Sequence, residues 1–97
     1  MQTLEKIIEI HDYNLKVEFT AQKCKGEMQV PPPQETIYFD DFEILGVISY
    51  NILDCTKRQI ESAESELRDL DKPINDLIIE ELYENYSQEI IEDIYND

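Results

Sequence analysis

The chain reads as an α+β protein: a three-stranded antiparallel sheet followed by two or three helices packed on one face. Three features lead there. Leu15 to Gln22 alternates apolar and polar residues without a break, the period of a strand with one wet side. From Leu53 onward the apolar residues recur every three to four positions, the period of a helix. Strands come first and helices second, an order that segregates helices on one side of an antiparallel sheet. With 97 residues and 41% hydrophobic content, a single domain over 1–97 is expected, β-rich over 1–47 and helical over 48–97.

The first strand is expected over Leu4 to His11, where Ile8 and Ile10 share one face and Ile7 takes the other. Asp12-Tyr13-Asn14 supplies turn residues, and Leu15 to Gln22 returns as the second strand of a hairpin. Between Lys23 and Glu35 the alternation lapses. Pro31-Pro32-Pro33 lack amide donors, so an extended polyproline connection is expected there. Thr36 to Val47 forms the third strand, with Ile37 and Phe39 in one phase and Phe42 and Ile44 in the other. That change predicts a bulge or bend at Asp40-Asp41.

Leu53, Ile60, Ala63, Leu67 and Leu70 then lie at helical spacing, opened by a Thr56/Gln59 capping box. Asp69 to Lys72 breaks the helix, and Pro73 falls in the first turn of the next, where its missing N–H costs nothing. Ile74, Leu77, Ile78 and Leu82 make one apolar stripe. Tyr83, Tyr86, Ile90, Ile91, Ile94 and Tyr95 extend it past a new start near Asn85 to Ser87.

Charge narrows the functional classes. The chain carries 23 acidic against 8 basic residues, a net charge of −15. Direct nucleic-acid binding and adsorption to anionic membranes are therefore not expected, since both need a basic surface. The longest apolar run, Ile44 to Ile48, is far short of the ~20 residues that span a bilayer. The N-terminal Met1-Gln-Thr-Leu-Glu-Lys has no basic region followed by an apolar stretch, so no secretory signal is expected. Cys24 and Cys55, far apart in sequence, are then expected to be reduced thiols in the cytoplasm.

No motif specifies a reaction. His11, Cys24 and Cys55 lack the close ligand pairs of zinc sites. Asp69, Asp71 and Glu80 match three positions of a calcium loop, but Ile74 stands where the loop requires glycine. A lone His11 with no partnered serine suggests neither general base nor nucleophile, so no metal, cofactor or enzymatic activity is expected.

The helical acids remain. From Pro73 to Asp97 the sequence has Asp76, Glu80, Glu81, Glu84, Glu89, Glu92, Asp93 and Asp97 and no lysine or arginine. Asp76, Glu80 and Glu84 fall at i, i+4 and i+8, on one face with about 6 Å of rise per step. Each such like-charge pair costs about 0.2–0.5 kcal/mol, and no cation interleaves to offset it. Duplex DNA sets a phosphate every ~3.4 Å along each strand, so the row is a sparser version of that field. Arginine grips carboxylate and phosphate with the same fork. Asp40, Asp41 and Glu43 extend the field if the third strand shares that face, and Tyr83, Tyr86 and Tyr95 are candidate aromatic anchors. The plain alternative is a solvated helix face with the tyrosines at its boundary.

In size, charge and layout the chain resembles the acidic DNA-mimic inhibitors encoded by bacteriophages. These include anti-restriction proteins and the anti-CRISPR proteins acting on type I surveillance complexes. The resemblance implies an inhibitor that occupies a basic nucleic-acid-binding surface of a CRISPR or restriction component. Lys23, Lys25, Lys57 and Arg58 break the acidic pattern, so mimicry is expected on one side only. The competing expectation is an antitoxin-like or phage accessory interaction module that docks through Ile90, Ile91 and Ile94.

Overall fold

Two adjacent residues with positive φ, His11 at 48° and Asp12 at 68°, close the first hairpin. This two-residue turn matches the right-handed twist of the strands it joins, and aspartate tolerates its left-handed backbone. The turn therefore lies one residue earlier than expected, and Tyr13 already pairs with Ile10. The computed structural model describes residues 1–31 and 35–96. Its elements are β1 (Gln2–Ile10), β2 (Tyr13–Val30), β3 (Glu35–Ile52), α1 (Lys57–Arg68), α2 (Ile74–Asn85) and α3 (Ser87–Tyr95). The sheet order is β1-β2-β3, antiparallel throughout, and mixed α+β as expected.

Strands β2 and β3 outrun their expected limits. Lys23 to Val30 is strand and not loop, paired in register with Glu35 to Phe42. The alternation there had not lapsed but changed sides. Up to Ala21 the apolar residues of β2 are odd-numbered and face the helices; beyond it Cys24, Met28 and Val30 are even-numbered and face away. The helices cover only part of the sheet, so the paired ends project as a two-stranded arm, and the whole measures 60 × 31 × 18 Å. Pro31 stands in a turn, while Pro32 and Pro33 of the expected polyproline connection lie outside the described residues.

The bulge is also elsewhere. At Asp40 and Asp41 the register with Lys25 and Cys24 is unbroken. The extra residues are Leu45 and Ile48, opposite the Thr20/Ala21 and Glu18/Phe19 steps. The change of phase from Phe39 to Phe42 marks the place where the arm meets the helix-covered body. Strand β3 continues to Ile52, which moves the boundary between the two halves five residues beyond Val47.

The core joins Ile8, Ile10, Leu15, Val17, Phe19, Ala21, Phe42 and Ile44 of the sheet to Leu67, Ile78, Leu82, Ile90 and Ile94 of the helices. Helix α1 opens with the expected capping box, Thr56 and Gln59 exchanging side-chain and backbone bonds. Pro73 is the N-cap of α2, one residue before its expected place, and its carbonyl accepts from the N–H groups of Asp76 and Leu77. Tyr86 ends α2 and begins α3, the new start foreseen near Asn85 to Ser87. Of the stripe named for an apolar docking module, Ile90 and Ile94 are fully buried in the core and Ile91 is half-buried against it.

Candidate functional site

Helix α2 turns Ile78 and Leu82 inward, which sends Asp76, Glu80 and Glu84 outward, all exposed. This row is not bare. Lys72, just before the helix, places Nζ 2.5 Å from Glu80 Oε1. Its pKa is raised, first by that hydrogen bond and the charge of Glu80, then by Asp76 and Glu84 on either side. Glu80 thus binds the ammonium, and Asp76 and Glu84 add their field to it. Glu81, half-buried, accepts from Asn85 Nδ2 at 2.7 Å.

On α3, Glu89 and Glu92 are exposed, and Asp93 Oδ2 lies 2.7 Å from Lys6 Nζ of β1. The sequence of this region contains no cation, but tertiary structure supplies Lys6 and the chain just upstream supplies Lys72. Lys72 was legible in the sequence four residues before Asp76, just outside the helix; Lys6 left no local signal.

The three strand acids do not join the helical row. Asp40 stands on the helix side of the arm and is paired with Lys25. Asp41 and Glu43 flank the inward Phe42 and so point to the opposite, open face. There Asp41 Oδ1 accepts from Phe42 N–H at 2.9 Å, and Glu43 Oε2 from Gln22 Nε2 at 2.8 Å. Glu5, Glu9 and Glu18 lie on that open face as well. Negative charge therefore occupies both broad sides, and the candidate surface contracts to Asp76, Glu80, Glu81, Glu84, Glu89, Glu92 and Asp93.

The candidate anchor tyrosines also hold the fold together. Tyr83 stacks on Phe42 with ring centroids 5.3 Å apart, and its hydroxyl oxygen accepts from Ile44 N–H at 2.8 Å. The Tyr95 hydroxyl is shared between the carbonyls of Cys24 and Asp41, at 3.0 and 2.8 Å. Lys23 and Lys25 place their ammonium groups 5.1 and 5.9 Å from the Tyr95 ring centre. Tyr86 packs against the core.

Cys24 and Cys55 are free thiols, Cys24 in the arm and Cys55 between β3 and α1, in a depression of about 300 Å³ with Tyr13, Arg58, Gln59 and Ser62. Burial, then Asp41 and Glu43, push the Cys24 thiol up. His11 lines a second depression, of about 250 Å³, with Leu70, Asp71, Lys72 and Leu77. Among the described residues no three or more ligating side chains converge as a metal site, and no helix is long and apolar enough to cross a membrane. Comparison with protein-family models, curated proteins and solved structures returns no match.

Proposed function

We propose that the protein is a DNA-mimicking inhibitor. It lays the outer surface of α2 and α3 in the basic cleft of a CRISPR surveillance complex or restriction nuclease and excludes DNA by occupancy. The row Asp76-Glu80-Glu84 carries this reading, because it already holds the ammonium of Lys72 as a cleft's lysines would be held. Arginine forks suit the same carboxylates, and opposed surface fields speed association. Such targets work in the host cytoplasm, which is the proposed place of action.

The test is competition for DNA on purified type I surveillance complex and type I restriction nuclease. The parent protein displaces DNA from one of them, with an effect that weakens as salt rises. The double reversal Glu80→Lys/Glu84→Lys loses at least about tenfold in potency while its circular dichroism and thermal midpoint stay unchanged. Equal potency of the reversed protein, or undisturbed DNA binding by both targets at stoichiometric excess, overturns the proposal.

A further inference from the structure

Strand β2 has an open edge. Its partner β1 ends at the Gln2–Ala21 pair, whereas β2 runs on to Val30, so among the described residues Gln22 to Val30 has β3 on one side and no strand on the other. Asn14 O accepts from Leu53 N–H on the β3 side, at 2.8 Å, so even-numbered residues of β2 turn their backbone toward β3. By alternation Lys23, Lys25, Glu27 and Gln29 present theirs outward. Such a ladder edge is a template for another strand.

We propose that this edge pairs with the same edge of a second copy, antiparallel, about a two-fold axis at Gly26. In a self-complementary contact residue i meets j and j meets i. Centring the axis on Lys25 opposes two lysines, centring it on Glu27 opposes two glutamates, and centring it on Cys24 opposes Lys23 to Lys25. Centring on Gly26 sets Lys25 against Glu27 of the other copy on both sides of the axis. It opposes no like charges, and it uses the whole interval from Gln22 to Val30, whose midpoint is Gly26. Glu27 is exposed and has no cation partner among the described residues. Pro31, without an N–H, ends the ladder where the interval ends.

The axis also falls on the barest backbone of the strand. A Cβ on Gly26 would collide with the Phe39 ring, so that ring lies over the glycine. Two glycines facing in a non-hydrogen-bonded pair approach to ~4.5 Å and bring their covering rings together. Phe39, Ile37 and Met28, exposed by 43%, 43% and 52%, become one apolar surface across both copies. With two lysines against one glutamate, this strip is also where two chains of net charge −15 repel least.

Sedimentation of the full chain tests the pairing. The parent is a dimer. Lys25→Glu and Glu27→Lys, each alone, oppose like charges twice and raise the dissociation constant at least about tenfold. Mixed in equal amounts they form a heterodimer, because each then supplies the charge the other lacks. A parent that stays monomeric at about 100 μM, above the micromolar range of modest interfaces, or variants whose mixture stays monomeric, overturns it. A second variant fixes the register. Met28→Cys, in a Cys55→Ser background, stands across from Cys24 of the other copy, whereas within one strand the two thiols are ~13 Å apart and cannot join. Mild oxidation gives a covalent dimer that adding Cys24→Ser abolishes; no such dimer, or one that survives the loss of Cys24, refutes the axis at Gly26.

Discussion

The backbone N–H of Ile44 donates to the hydroxyl oxygen of Tyr83 at 2.8 Å. Strand β3 is an edge strand and Leu45, the next residue, is bulged, so a helix side chain takes the place of a fourth strand at this point. One tyrosine thereby fixes the approach of α2 to the sheet through both its ring and its oxygen.

Tyr83→Phe keeps the stack on Phe42 and removes only that acceptor. The expected loss is about 0.5–1.5 kcal/mol, the net contribution of one hydrogen bond. In a domain of this size that lowers the thermal midpoint by roughly 4–8 °C per kcal/mol. Calorimetry checks it, and an unchanged midpoint would show that water replaces the hydroxyl without cost.

Ile90→Ala removes a fully buried side chain between α3 and the sheet. A loss of about 2–5 kcal/mol is expected from the lost transfer energy and the cavity left behind. Against a total of about 5–15 kcal/mol this is severe. Urea unfolding measures it; a change below 1 kcal/mol would return the C-terminal stripe to partner binding.

Lys72→Gln removes the cation from the middle of the acidic row. Folding stability should barely move, since exposed ion pairs contribute little. Association with a basic target should quicken at low salt. Stopped-flow binding at two ionic strengths gives the answer, and a slower variant would mean that Lys72 itself contacts the target.

Alkaline pH should destabilise the fold. The Tyr13 phenol is raised first by donating to Glu66, and Lys25 and Lys72 are raised first by their bonds to Asp40 and Glu80. Each group holds its proton more tightly when folded, so its contribution is complete below the unfolded value and vanishes as pH climbs through the folded one. With ordinary values of about 10 for tyrosine and 10.4 for lysine, unfolding midpoints should fall above pH ~10. Cys24, raised mainly by burial, begins the same trend earlier. Tyr13→Phe should flatten the curve; a midpoint level through pH 11 would contradict the assignment.

What the sequence determined by itself was everything set by neighbours a few residues apart. Strand and helix periods, the Thr56/Gln59 capping box, the restart near Tyr86 and the acidic row of α2 are local properties, and each was legible. The tertiary structure decided what depends on cover. Lys23 to Val30 looked irregular because apolar residues change faces where the helices stop. Asp41 and Glu43 parted from the helical acids because β3 turns them to the opposite side of the sheet. Tyr83 and Tyr95 bind the helices to the sheet because it brings Ile44, Cys24 and Asp41 against their hydroxyls. Periodicity reports which residues share a face; only packing says which face is covered, and charges and hydroxyls find their partners there.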